Sequence, residues 1–147
     1  MRYLGLDLGT KTLGIAMSDK LGIIASSYGT IRFENEDYDS LLEQIKEIIN
    51  KEEVDIVVLG LPRNMNNTLG ERANKTIEFR DKLSKYLNME VYMQDERLSS
   101  VEANNYLIES DMSRKKRKNK VDGVAATIIL ETFMERRKNS ERWKNDI

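Results

Sequence analysis

The stretch "YLGLDLGTKTLGIAMSD", residues 3–19, sets the terms of the fold. An apolar run ends on Asp7, turns through Gly9, Thr10, Lys11 and Thr12, and resumes as a second apolar run. A carboxylate at the end of a buried strand is costly to desolvate unless something pairs with it. A turn amide, a lysine such as Lys11 and a bound cation are the three candidate partners. The segment alone leaves all three open.

Working outward, "GIIASSYGTIRF" (22–33) completes a three-strand meander with Gly-containing turns. Leu41, Ile45, Ile48 and Ile49 then recur at the spacing of one helix face. The run "VDIVVLGLP" (54–62) is short, continuous and rich in Val and Ile, as a central strand buried on both faces requires. A polar loop over 63–71 leads to a second helix, with Ala73, Ile77, Leu83 or Ser84, and Leu87 expected inward. "MEVYMQ" reads as a fifth strand. Ser99 and Glu102 have capping-box spacing for a third helix. After a basic run, Val121, Val124, Ala125, Ile128 and Ile129 form the apolar stripe of a fourth.

This order gives an α/β fold: a mixed five-stranded sheet, three strands of meander and then two parallel strands, flanked by helices. One domain over residues 1–138 is expected, with a polar, frayed tail over 139–147. In such sheets ligands gather beyond the carboxyl ends of the strands. Asp7 ends the first strand, Gly60 and Pro62 the fourth, and Asp95 and Glu96 the fifth, so these ends converge if the three strands are parallel neighbours.

The 147 residues contain neither His nor Cys. Ser-His-Asp and Cys-His catalysis are excluded, as is zinc held by His or Cys. Any catalysis rests on carboxylates, Lys, Tyr, hydroxyls or a metal bound by oxygen, and oxygen ligation suits Mg²⁺ or Mn²⁺. No apolar run is long enough to cross a bilayer and no charged-then-apolar leader precedes the first strand, so a cytoplasmic protein is expected. The formal net charge is −1, yet six of the seven residues in "RKKRKNK" (Arg114 to Lys120) are basic, while acids collect in "FENEDYD" and "NKEEVD". Local basic clusters of this kind are compatible with a nucleic-acid partner.

Asp7, Glu96 and Asp122 form the constellation that can carry chemistry. Two sit at strand ends and the third is expected in the first turn of the last helix. Three carboxylates brought together repel unless protonated or bridged by cations. Two divalent ions are the usual device by which such clusters hydrolyse phosphodiesters. Each acid also has a plainer role: Asp7 as a cap on turn amides, Glu96 as a partner of Arg97 or the basic run, Asp122 as an acid favoured at a helix start. The turn "GTKTLG" is either a polar hairpin turn or a place where backbone, Thr hydroxyls and Lys11 meet a phosphate. The basic run is either a solvated loop or a flap holding a phosphate backbone by counterion release.

Four segments occur in order across nearly the whole chain: "GLDLGTKTLGIAMSD", "VVLGLPRNMNNTLGERA", "DERLSSVEA" and "RKKRKNKVDGVAATIILETFM". Together they resemble the YqgF/RuvX family of ribonuclease H-like proteins, regarded as Holliday junction resolvases and as nucleases maturing the 5′ end of pre-16S ribosomal RNA. The resemblance implies a ribonuclease H-like fold and a hydrolase with Asp7, Glu96 and Asp122 as catalytic metal ligands for two Mg²⁺ or Mn²⁺ ions. It implies nucleic acid as partner, pre-16S rRNA first and branched DNA second, with ribosomal particles nearby, no membrane, and a monomer or homodimer. "GLPRNM" resembles the family's substrate-side loop, with Arg63 and Asn64 beside Lys11 and Arg114, Lys115, Lys116 and Arg117 as substrate-binding residues. The chain departs at "NMNNTLG", where Asn66 and Asn67 stand in place of the family's Asp-Gly. A resolvase of the same fold, needing two sites on a symmetric dimer, and a non-catalytic RNA-binding assembly factor are the rival functions.

Overall fold

The computed structural model describes residues 1–62, 70–95 and 114–145, with the side chains of the last segment described over 123–140. Its elements run β1 (Tyr3–Leu8), β2 (Thr12–Ser18), β3 (Ala25–Arg32), α1 (Asp39–Glu52), β4 (Ile56–Leu61), α2 (Glu71–Leu87), β5 (Val91–Asp95) and α3 (Arg114–Asn145). The sheet order is β3-β2-β1-β4-β5. β1 pairs antiparallel with β2 and parallel with β4, β2 pairs antiparallel with β3, and β4 pairs parallel with β5. The expected meander and parallel pair are both present. The capping box at Ser99 and Glu102 lies outside the described residues.

Strand alternation sorts the core into two layers. Leu4, Leu6 and Leu8 of β1 join Leu13, Ile15, Val57 and Leu59 on the face covered by α1 and α2. Tyr3, Ala16, Ile56 and Val58 face the other way, against Ala126, Ile129, Leu130 and Met134 of α3. Leu41, Ile45 and Ile49 are the buried positions of α1, as the periodicity predicts, with Ile48 at the margin. In α2 the buried set is Ala73, Thr76, Phe79 and Leu83 rather than one containing Ile77. Thr76 is tolerated there because its hydroxyl donates back to the Arg72 carbonyl (2.8 Å). Phe79 wins an inward place by volume and by edge contact with Tyr38, ring centroids 6.0 Å apart.

α3 differs most from expectation. Its backbone is one helix from Arg114 to Asn145, so "RKKRKNK" begins the helix instead of forming a loop or flap before it, and the polar residues after Lys138 continue it. The helix lies close on the sheet because Gly5 has no side chain. A Cβ there would stand 2.9 Å from Leu130 Cβ and 3.2 Å from the Ala126 carbonyl. Gly123 is a softer contact, since its Cβ would meet the Ser27 hydroxyl (2.6 Å), which can rotate away.

The β2–β3 turn is held by one carboxylate. Asp19 Oδ1 accepts from the amides of Ile23 (2.7 Å) and Ile24 (2.9 Å), and the Asp19 carbonyl accepts from Gly22 (3.1 Å). Gly22 takes φ of +68°, which glycine adopts without strain.

Gly5→Ala is expected to lower stability by about 1–3 kcal/mol through forced separation of α3 from β1, whereas Gly123→Ala stays within about 0.5 kcal/mol. Urea unfolding of both variants checks this, and equal midpoints contradict it. The amides of Ile24 and Ile23 hold the Asp19 carboxyl below its ordinary value. Its contribution is therefore complete above the unfolded carboxylate pKa and is lost as pH falls through the lower folded value. Asp19→Asn should flatten the loss of stability on the acid side in a pH series of thermal melts; an unchanged slope refutes the assignment.

Candidate active site at the carboxyl ends of three parallel strands

β1, β4 and β5 are adjacent and parallel, so their carboxyl ends do converge. The registers Leu6↔Leu59 and Gly60↔Gln94 set the level. Beyond the Leu6 pair the next residues are Asp7 and Gly60, which places Asp7, Gly60 and Gln94 in one row across the sheet. Asp7 is half-buried and follows Tyr3 and Gly5 onto the face covered by α3. With no side chain at Gly60, the row has a notch between an acid and an amide.

Gln94 is only 6% exposed. Its Oε1 accepts a 2.7 Å hydrogen bond from Arg136 Nη1, reaching across from α3. A buried amide oxygen without a partner costs about 1–3 kcal/mol, and this guanidinium supplies the partner, while the Gln94 Nε2 donates to the Asp95 carbonyl (3.4 Å). Neither residue was expected at the site. A Gln one residue before the end of β5 is the one signal, and its partner 42 residues away is not readable from spacing. Asp95, the acid that is described at this strand end, is exposed and alternates away from Asp7, since Met93 packs with the α1/α2 layer.

The β1–β2 turn is fixed through its carbonyls. The Leu8 carbonyl accepts from Arg72 Nη2 of α2 (2.6 Å), Thr10 from the Glu36 amide (2.9 Å) and Lys11 from the Phe33 amide (2.9 Å). The Gly9 amide donates to the Thr12 carbonyl (2.8 Å) and so closes the turn itself. That amide is not a cap for Asp7. Lys11 is exposed on the rim of the turn. Beside it, a cavity of about 210 Å³ is lined by Thr10, Glu36, Arg72 and Lys75 among others. Lys75 is ion-paired with Glu36 and Glu71 there, and the hydrogen bond to Glu36 raises its ammonium pKa. Matched acids and bases make this a latch between the β3–α1 loop and α2, not an anion site.

Asp122 lies in the third turn of α3, not the first, because the helix starts at Arg114. The macrodipole acts within the first turn, so it does not account for an acid at this place. The adjacent Gly123 abuts Ser27, and Ala126 one turn on approaches Gly5. The turn carrying Asp122 therefore belongs to the stretch of α3 that crosses the face on which Asp7 stands. Glu96, Arg63, Asn64, Asn66 and Asn67 lie outside the described residues, as do the side chains of Asp122, Arg114, Lys115, Lys116 and Arg117. Among the described residues no group of three acids is assembled for a metal ion. Asp7 is the member of the expected triad whose side chain is described.

The family model for RuvX, described as Holliday junction resolvase, matches residues 1–136. The chain belongs to the RuvX family. A relative from Clostridium botulinum (strain Hall), named "Putative pre-16S rRNA nuclease", is 52% identical over 135 residues, covering 92% of this chain and 97% of the relative. One of the same name from Clostridium kluyveri is 46% identical over 136 residues, covering 92% and 98%. Thermus thermophilus RuvC in complex with a Holliday junction substrate superimposes with a TM-score of 0.57 at 12% identity, covering 94% of this chain and 96% of that one. Fowlpox virus resolvase bound to Holliday junction DNA gives 0.54 at 14%, covering 92% and 97%. At such low identity these two show the shared ribonuclease H-like fold alone.

Membership of the RuvX family makes the protein a nuclease, a hydrolase of phosphodiester bonds. The matched region ends at Arg136, the residue that holds Gln94. Arg136→Ala is expected to cost about 1–3 kcal/mol, because it orphans the buried oxygen of the Gln94 amide, and Gln94→Leu in the same chain should recover part of that loss. Denaturant unfolding of the two single variants and the double gives the coupling; additive losses would mean that the bond contributes nothing.

Proposed function

We propose that this RuvX protein is a Mg²⁺- or Mn²⁺-dependent nuclease that processes the 5′ end of pre-16S ribosomal RNA in the cytoplasm, on ribosomal precursor particles. The carrying observation is the half-buried Asp7 at the convergent ends of three parallel strands, in a chain with no His or Cys. An oxygen-only donor set fits hard divalent cations and disfavours the softer ones. Asp7, Glu96 and Asp122 are the residues proposed to hold them. When bound, such a pair of ions supplies an activated water and charge stabilisation at the leaving oxygen.

The chain's own part is positioning. The β2 ladder pairs Asp7 with Gly14, the β4 ladder holds β1 up to Leu6 just before it, and Arg72 anchors the Leu8 carbonyl directly after it. Arg136 ties the end of β5 to α3 through Gln94, two residues before Glu96. Lys11, Arg63 and Asn64 are proposed to contact substrate phosphates, with Arg114, Lys115, Lys116 and Arg117 lined along the opening turn of α3. Cations on a helix hold a phosphate backbone through counterion release without reading sequence. The names of the relatives at 46–52% identity favour the ribosomal precursor. The family description favours a second reading, cleavage of four-way DNA junctions.

The test presents a labelled pre-16S 5′-end RNA and a four-way DNA junction side by side, with Mg²⁺ or Mn²⁺. The RNA is expected to be cut, and Asp7→Asn to reduce cutting on the order of a hundredfold or more. Undiminished cleavage by that variant would falsify the metal assignment. Junction cleavage without RNA cleavage would select the second reading.

A further inference from the structure

The cavity of about 210 Å³ beside the β1–β2 turn has polar capacity that its own latch does not use. Leu8, Thr10, Glu36, Tyr38, Arg72 and Lys75 form its wall. A carboxylate offers about four acceptor sites and a guanidinium five donors. The Glu36 carboxylate takes one hydrogen bond, from Lys75, on Oε1. Arg72 gives one, from Nη2 to the Leu8 carbonyl (2.6 Å). Among the described residues, Glu36 Oε2, Arg72 Nη1 and Nε and the Thr10 hydroxyl have no partner.

Both charged groups are held in place. Arg72 is fixed by its bond to Leu8. Glu36 takes φ of +58°, which is uncommon for a residue with a side chain. Its amide donates to the Thr10 carbonyl (2.9 Å) and its carbonyl accepts from the Tyr38 amide (2.9 Å), which keeps it there. Backbone outliers of this kind cluster at ligand clamps. The Glu36 and Lys75 side chains stay 41% and 36% exposed, so the polar edge is reachable from solvent.

Charge and size select the ligand. Two acids, Glu36 and Glu71, face two bases, Arg72 and Lys75, so the cavity has no net attraction for a phosphate. Its volume is below the roughly 300–1,000 Å³ of pockets for whole small molecules, so it fits one flat group. Tyr38 gives that group an aromatic wall, braced by Phe33 and Phe79 at 5.8 Å and 6.0 Å between ring centroids. An unpaired base splayed from an RNA strand is a neutral, flat group with donors and acceptors on one edge. Among the four bases, guanine alone sets two parallel donors, N1–H and N2–H, beside an acceptor, O6. We propose that this cavity binds an unpaired guanine of the RNA strand, with Glu36 accepting from N1–H and N2–H and Arg72 donating to O6. The proposal rests on RNA being the substrate. Leu8 lines the cavity and directly follows Asp7, so the seated base belongs to a nucleotide close to the cut.

Fluorescence anisotropy of labelled RNA hexamers with the full chain, in chelator and without added metal, tests this. A uridine hexamer with one central guanosine is expected to bind about tenfold more tightly than one with adenosine or with uridine throughout. Inosine, which lacks N2–H, should fall between. Glu36→Gln should abolish the preference, leave the adenosine hexamer's affinity unchanged and keep the melting temperature. Because that variant also releases Lys75, Glu71→Gln is the control: it loosens the same ammonium and should retain the preference. Equal affinity for the four hexamers, or no binding of any, overturns the proposal. So does a preference that survives Glu36→Gln or is lost equally in Glu71→Gln. Asp7→Asn should lose cutting and keep the guanosine preference, so failure of the base site and failure of the nuclease reading are told apart.

Discussion

The structure depends on the direct approach of α3 to β1 across Gly5. With nothing between the strand backbone and Leu130, the helix sits on the centre of the sheet and β1 is buried on both faces. That burial makes the acid at the end of β1 expensive. Most surface acids need no explanation, but one at the rim of the central strand, on the covered side, does. Packing at Gly5 thus sets the surroundings in which the Asp7 carboxylate is held.

The surrounding hydrogen bonds serve one end of the sheet. Arg72 and Arg136 come from opposite faces, α2 and α3, and each spends its guanidinium on an acceptor close to the strand ends. Both are internal ties, so neither is part of a loose cationic surface. The basic run Arg114 to Lys120 falls instead in the opening turns of α3. Tying strand ends to the helices and carrying a dense run of charge fall to different arginines of the sequence.

The sheet was legible because its strands are apolar runs with turns between, and a run such as "VDIVVLGLP" has few other uses. Asp7 was legible as an acid that such a run should not contain. The interior of α2 was less so: Ile77 outranks Thr76 in hydropathy, and only the back-bond to Arg72 and the bulk of Phe79 reverse the order. The start of α3 was misplaced because Lys and Arg are good helix formers, yet a dense run of them reads as solvated loop when charge is weighed before propensity. Asp122 moved into the third turn as a result. The Arg136–Gln94 bond joins two elements by tertiary contact alone, and no local pattern announces it.

α3 has one more consequence. It abuts Ser27 on β3 and holds Gln94 on β5, one contact near each edge of a five-stranded sheet. A strap fastened at both edges turns separate strand pairs into one cooperative unit. The edge strands cannot peel away without releasing the helix that also covers Asp7 and carries Asp122. Local opening at the margins is thereby coupled to release of the helix from the sheet, so the surroundings of the Asp7 carboxylate open and close with the whole fold.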